Sequence, residues 1–393
     1  MTDPNSNAKP LIEVSDLETR FFTEKGTVNA VSNISFTVND NEIYGIVGES
    51  GSGKSVTAQS ILDIIESPGK ITNGKIWYRN ADLASVLSSE YPDSVDDDRI
   101  NLLELPSKMR QIIRGKYFGI IFQDPKESFN KSYTVGDQIA ESVEIQRRID
   151  QNIEDVNSIK YSLSDYLKDT FSLGDGFVSK ESRKRAVELL ELVGMPDPIK
   201  RAEEYPYQFS GGMLQRAMIA QALASDPEFL IADEPTTALD VTIQSQIIKL
   251  LSDISNDRNM SVLIITHNLG VIARACDRVG VMYAGELVEQ GPVYKIFKNP
   301  QHPYTVGLLN SAPDTDQSSE RLDPIPGSVP NLIDSEMPEG CYFRERCPEA
   351  MDKCRQDPAH YHIDEDHTSK CFLAEEQSVG HHSEKSKIVS EDN

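Results

Sequence analysis

The run Gly48-Glu49-Ser50-Gly51-Ser52-Gly53-Lys54-Ser55 fulfils the spacing G-x-x-x-x-G-K-S, whose chemistry is phosphate binding. Its glycines let backbone N–H groups turn inward onto phosphate oxygens, and a helix opening directly after the loop adds the positive end of its dipole. Lys54 is placed to bridge the β- and γ-phosphates of a nucleotide and the Ser55 hydroxyl to ligate Mg²⁺, with Val56 closing the binding set. A second group of chemical residues lies far downstream, where Phe229-Leu230-Ile231-Ala232 runs into Asp233-Glu234-Pro235. A strand ending in a carboxylate is what a phosphate-bound metal needs beside it. Asp233 suits the metal, through a water, and Glu234 suits polarisation of an attacking water. Capping of the next helix is the plainer role for such a pair.

Four of the five cysteines fall within 31 residues, as Cys341, Cys347, Cys354 and Cys371, spaced C-x5-C-x6-C-x16-C. In a cytosolic chain that clustering points to metal or cluster ligation more than to disulfides. Four thiolates satisfy a tetrahedral Zn²⁺ or a [4Fe–4S] cube. Structural zinc sites usually include a tight C-x2–4-C pair, which is missing here, so the cube is preferred and zinc or free thiols stay open. Cys276 reads as a buried small hydrophobe.

The elements that must position these groups read as alternating strands and helices. Ile34-Ser35-Phe36-Thr37-Val38 alternates in the strand manner, giving an antiparallel opening sheet over residues 11 to 40. Ile43-Tyr44-Gly45-Ile46-Val47 is a buried strand feeding the phosphate loop, and a helix from Val56 to Ile65 follows. Val262-Leu263-Ile264-Ile265-Thr266 is another buried strand, and strands alternating with helices predict a largely parallel sheet with helices on its faces. Residues about 80 to 114, acidic and Ser-rich, and about 146 to 185, broken at Gly174-Asp175-Gly176, read as solvated surface insertions. From about Gln301 the chain turns Pro-rich and then Cys-bearing, marking an appended module; residues 1–10 are expected to be flexible and 376–393 disordered.

Composition excludes several classes. A net charge of −24 argues against a nucleic-acid binder, which needs basic surface. That charge fits either a halophilic proteome or acidic insertions such as Asp96-Asp97-Asp98. No apolar run reaches the roughly 18 residues of a membrane span, and Met1 to Pro10 lacks the layout of a secretory signal, so a cytoplasmic location is expected.

Taken in order, these motifs resemble the ABC ATPase family over residues about 11 to 290. Phe209-Ser210-Gly211-Gly212-Met213-Leu214-Gln215 is similar to its signature motif and lies upstream of Asp233-Glu234, as that family requires. The resemblance implies that Ser210, Gly211, Gly212 and Met213 complete the nucleotide site of a partner subunit, although Ser210 as a plain helix cap is locally as good. It implies that Gln123 senses Mg²⁺ and the attacking water and relays that state to membrane subunits. It further implies that Asp240 contacts the partner across a dimer and that His267 hydrogen-bonds the γ-phosphate. Phe22, or its neighbour Phe21, becomes a candidate to stack on adenine, with core packing as the alternative. The implied fold is an α/β P-loop NTPase cassette over 11–295, with a RecA-like parallel-sheet core, an antiparallel β subdomain and a helical subdomain at about 124–227. Three positions depart from the family pattern: Met213 in place of Gln, Asn268 in place of Asp after His267, and Asn41 in place of Gly before Glu42.

The C-terminal stretch narrows the resemblance. Asn299-Pro300-Gln301-His302-Pro303-Tyr304-Thr305-Val306-Gly307-Leu308-Leu309, Ile325-Pro326-Gly327-Ser328-Val329-Pro330 and Gly340-Cys341-Tyr342-Phe343-Arg344-Glu345-Arg346-Cys347-Pro348 are similar to the oligopeptide/dipeptide and nickel importer ATPases. This covers a small Cys-containing module at 296–375. It implies an ATP- and Mg²⁺-dependent ATPase on the cytoplasmic face of the membrane, powering peptide import. A sister ATPase, two transmembrane permeases and an extracytoplasmic binding protein are the implied partners. Nickel or another small solute is the alternative cargo, and a soluble redox-regulated ATPase the alternative class.

Overall fold

The computed structural model describes residues 9–152, 178–237, 239–311 and 325–375. The expectations for residues 1–8, for the break at Gly174-Asp175-Gly176 and for the 376–393 tail lie outside the described residues. Pro10, expected to be flexible, already opens a strand.

The chain divides into two compact units that do not follow chain order: Met1–Ile12, Val38–Asn41 and Ile76–Leu263 form one, and Glu13–Thr37, Glu42–Lys75 and Ile264–Asn393 the other. In the first unit, β7 (Phe118–Ile121) and β8 (Phe229–Asp233) run parallel, in register from Phe118 opposite Phe229 to Ile121 opposite Ala232. Every residue of β8 is buried, as expected of an apolar strand covered on both faces. Tyr78 meets Phe118 edge-on at 5.2 Å, and Phe118 meets Phe229 at 5.6 Å, tying the strand pair to the segment that carries Tyr78.

The stretch 80–114 is not a solvated insertion. It contributes β5 (Val95–Asp96) and β6 (Arg99–Asn101), which extend the antiparallel sheet from the end of β4 (Gly69–Arg79), followed by the helix Ser107–Tyr117. Leu87, Ile100, Leu102, Leu105, Met109 and Ile113 from it are buried. Met109, Ile112 and Ile113 do keep a helical spacing, but the acidic and serine residues upstream give the stretch the composition of solvated surface. The helices Val135–Asn152, Lys180–Leu192 and Gly211–Ala222 pack on one another. At their junction the Glu144 side chain, 1% exposed, accepts hydrogen bonds from Ser182 Oγ at 2.7 Å, Arg147 Nη2 at 2.9 Å and Arg148 Nε at 3.1 Å.

In the second unit, β1 (Pro10–Thr23) and β2 (Gly26–Asn39) form a hairpin beside the start of β4. β3 (Ile43–Val47), buried throughout, runs parallel to β10 (Arg278–Tyr283), which turns back into β11 (Glu286–Pro292). β9 (Ser261–Thr266) begins in the first unit and ends in this one. β11 pairs with β13 (Thr368–Ser369), and β13 with β12 (Tyr361–His362), so the C-terminal stretch adds strands to the edge of this sheet. One apolar core joins Val47, Ile272, Val281, Tyr283, Tyr304 and Phe343, which means the loop-bearing strand and the C-terminal residues are buried together. Glu289 is buried at the seam, accepting from Gln301 N at 2.7 Å and His302 N at 2.9 Å and paired with His367 Nε2 at 2.8 Å.

Candidate functional site

The phosphate loop links β3 to the helix Lys54–Ile61, which starts two residues earlier than expected. Its glycines are needed at two points. A Cβ on Gly48 would come within 2.1 Å of Met282 O, and Gly53 combines φ +102° with 2.2 Å to Ala30 O. The loop is pinned from behind, since Gly285 N donates to Ser52 O at 2.9 Å. Ser50 and Gly51 face outward, Ser55 and Val56 are half-buried, and Ser52 is fully buried. Lys54, 5% exposed, donates to Gly48 O and Glu49 O at 2.8 Å each, and reaches Ser52 Oγ at 3.5 Å. An ammonium buried against loop carbonyls is a charge held ready for anionic oxygens, so the residues present fit a phosphate.

Two side chains that sequence reasoning did not assign also grip this loop. Tyr304 Oη accepts from Glu49 N at 2.9 Å, and Arg346 makes a bidentate pair with the Glu49 carboxylate. Both belong to stretches singled out in the sequence, but nothing local there shows which residue they reach. Also in this unit, Phe22 is 49% exposed at the hairpin end while Phe21 packs on Gly69, so of the two only Phe22 presents a free face. His267 follows β9 and is exposed. Asn268 caps the next helix, accepting from Gly270 N at 2.9 Å, a task Asn performs as well as the more usual Asp. Glu42, 1% exposed, pairs with Arg278 Nη1 at 3.2 Å. Asn41 takes φ +58°, a left-handed conformation Asn tolerates where Gly would be expected.

The first unit holds the remaining groups. Asp233 ends β8, 9% exposed. Glu234 stands at φ +48°, an uncommon conformation for a residue with a Cβ, and its Oε2 accepts from Thr237 Oγ1 at 2.5 Å. Gln123 is exposed in the loop after β7, between Phe122 and the helix-capping Asp124. Ser210 caps the helix Gly211–Ala222, its Oγ accepting from Met213 N at 3.3 Å, so the plain capping role is realised. Gly211, Gly212 and Met213 are half-buried, while Ser210 is exposed. Asp240 caps the helix Val241–Arg258, and Gln244 Nε2 clamps the preceding loop through Thr236 O and Leu239 O, both at 3.1 Å. Ala238 lies outside the described residues.

Cys341, Cys347, Cys354 and Cys371 line one small cavity with Phe343 and Phe372, and all five cysteines are free of disulfides. Burial pushes the Cys341, Cys347 and Cys371 thiols up to about 11, and neighbouring thiols of the set add to the rise. The backbone N–H groups of Phe343, Glu349 and Leu373, each two residues on, hydrogen-bond these sulfurs and pull the other way. A donor repeated at the same offset on three sulfurs suits thiolate ligands. Gly340 stands at φ +76°, and a Cβ there would come within 2.4 Å of the Arg355 backbone; its absence lets Cys341 N donate to Cys354 O at 3.0 Å. Among the described residues, however, no group of three or more His, Cys, Asp or Glu is arranged to hold a metal ion. Cys276, packed against Gly45, is strongly raised by burial, as a core thiol should be.

No described helix is long and apolar enough to cross a membrane. The ABC transporter family pattern matches residues 31–237, and the pattern described as oligopeptide/dipeptide transporter, C-terminal region, matches residues 288–354. The chain is 40% identical over 370 residues to the dipeptide transport ATP-binding protein DppD of Bacillus subtilis, covering 94% of this chain and 96% of that one. It is 40% identical over 362 residues to DppD of Escherichia coli, covering 92% and 96%. Among solved structures, the ATP-binding cassette MJ0796 bound to ADP and Pi superposes with a TM-score of 0.53 over 72% of this chain and 98% of that one, at 22% identity, a likeness of fold. Because the family pattern takes in more than half of the chain and two relatives span nearly all of it, the protein belongs to the ABC transporter family, as one of its ATP-hydrolysing subunits.

Proposed function

We propose that this subunit powers the import of di- or oligopeptides. The observation that carries the reading is the union, in one chain, of a phosphate loop with a buried lysine and a C-terminal region of the oligopeptide/dipeptide transporter type. Relatives named for dipeptide transport support the cargo class. The partners proposed are two permeases, an extracytoplasmic binding protein and a second ATPase, with the chain peripheral to the membrane on its cytoplasmic side.

In this reading the loop 48–55 takes the phosphates and Phe22 stacks on adenine. Lys54 gives up the Gly48 and Glu49 carbonyls for β- and γ-phosphate oxygens. Mg²⁺, when bound, neutralises developing charge on the transferred phosphoryl group, and Ser55, Gln123 and Asp233 are the residues proposed to hold it. Glu234 orients and deprotonates the attacking water once its carboxylate leaves Thr237 Oγ1, and His267 hydrogen-bonds the γ-phosphate. Ser210 to Met213 serve the partner's nucleotide, and Asp240 the contact between ATPases. The test is reconstitution of the full complex in vesicles, reading ATP turnover against added dipeptide, oligopeptide or Ni²⁺. Stimulation by peptide supports the reading, and stimulation by Ni²⁺ alone replaces peptide with metal cargo.

We further propose that Cys341, Cys347, Cys354 and Cys371 hold a [4Fe–4S] cluster. The shared cavity and the three N–H donors to sulfur support a thiolate set. Anaerobic purification should give absorbance near 400 nm with iron and sulfide in about equal amounts. A colourless protein with stoichiometric zinc would replace the cube with zinc.

A further inference from the structure

Glu49 is a poor choice for a loop that takes a triphosphate. Its carboxylate repels the like charge of the phosphates it stands beside. The carboxylate is not left to face this alone. Arg346 Nη1 donates to Glu49 Oε2 at 2.6 Å and Nη2 to Oε1 at 3.0 Å. The Arg346 side chain is 6% exposed, against 29% for Glu49, so the pair is anchored from the C-terminal side. Its Nε donates to Pro326 O at 2.8 Å, and its guanidinium lies 5.7 Å from the Tyr283 ring centroid and 5.9 Å from that of Phe343. Tyr304 fixes the backbone of the same loop residue. A second tether, Asn29 N to Leu332 O at 2.8 Å, holds the segment supplying Pro326 against β2. An exposed ion pair would contribute little. One so enclosed and bidentate holds its geometry without a nucleotide.

We propose that Arg346 is the counter-ion of the phosphate loop, a positioning residue by which the C-terminal module neutralises Glu49 and sets the affinity for nucleoside triphosphate. The inference rests on residues 48–55 being the nucleotide site. It makes the module part of that site, whatever the cysteines hold.

The test measures binding of ADP and of a non-hydrolysable ATP analogue to the purified full chain by titration calorimetry, at low and high salt. Arg346→Met should weaken the triphosphate analogue about tenfold and ADP less, with the loss shrinking as salt screens the charges. Adding Glu49→Gln to Arg346→Met should restore binding, and Glu49→Gln alone should tighten it, since the arginine is then left uncompensated. Unchanged affinity in Arg346→Met, or a loss that Glu49→Gln does not repair, overturns the counter-ion role and leaves Arg346 as packing. If Arg346→Met does not fold, Glu49→Gln alone decides, and unchanged or weaker binding overturns the proposal. A Lys54→Ala chain that binds as tightly as the parent would sink the nucleotide site itself, and the inference with it.

Discussion

At the scale of the residue, Glu234 carries the sharpest consequence. Its backbone sits at φ +48° and its carboxylate is tied to Thr237, so the strand end holds an acid in a conformation that costs free energy. Glu234→Gln keeps the side chain's size and its hydrogen-bond acceptor but removes the base. That variant should bind ATP normally and hydrolyse it at least about a hundredfold more slowly. Phosphate release from the assembled complex is the measurement, and near-normal turnover would remove Glu234 from the role of base. The places of Lys54, Ser55 and the Asp233-Glu234 pair, after one buried strand and at the end of another, were legible because short, fixed spacings mark them in the sequence. Arg346 and Tyr304 were not, because the partner of both is Glu49, 297 and 255 residues away. Side-chain contacts over such separations leave no periodic mark in a single sequence.

At the scale of the element, two buried polar centres hold helices in place. Burial alone would raise the Glu144 carboxyl, but hydrogen bonds from Ser182, Arg147, Ser179 and Arg148 outweigh it and hold it down to about 2. Its stabilisation is therefore complete above the ordinary carboxylate range and is lost as pH falls towards 2. Glu144→Ala should destabilise the helical region by about 2 kcal/mol, since Ser182 loses its buried acceptor, and chemical denaturation at neutral pH would show it. A midpoint equal to the parent's would mean the bonds to Glu144 contribute nothing net. His302 has the same pH sense by another cause, since burial itself lowers the imidazole. Burial lowers it to about 4, with Glu289 raising it and Lys370 lowering it further, so it stays neutral while its Nδ1 accepts from Tyr304 N. The unfolded chain binds this proton near 6.5 and the folded one only near 4. Stability is thus full above about 6.5 and declines by roughly 3 kcal/mol as pH falls through that window. His302→Asn keeps a helix-capping acceptor and should flatten that part of the stability profile; an unchanged slope would show that another group titrates there. The apolar strands β3, β8 and β9 could be read from their runs of Val, Ile and Leu. The elements at 80–114 are masked by composition, because acids and serines surround short apolar groups such as Leu83, Val86 and Leu87.

At the scale of the whole molecule, the division into units shows what chain order conceals. The loop at 48–55 and the cysteines at 341–371 share one compact unit, although nearly 300 residues separate them. A sequence read from end to end suggests an appended module, whereas Tyr304 and Phe343 are core residues alongside Val47. The charge of the chain also acts at this scale. With 63 acidic against 39 basic residues, the net charge of −24 makes the folded state repel itself. Pairs such as Lys9 with Asp98 at 3.5 Å offset this locally, but exposed pairs of that kind contribute about 0–1 kcal/mol each and are weakened by the same salt. The repulsion involves every uncompensated acid at once, so it should dominate. Raising ionic strength from about 0.01 M to about 1 M shortens the screening length from roughly 30 Å to roughly 3 Å. The thermal midpoint of the full chain should therefore climb steadily over that range, measured without nucleotide so that binding does not contribute. Sodium chloride is the salt to use, because sulfate would also strengthen apolar burial. A midpoint that falls with salt would mean the paired charges outweigh the acid excess, and the surface would then have to be read as a network of ion pairs instead of a field of uncompensated acid.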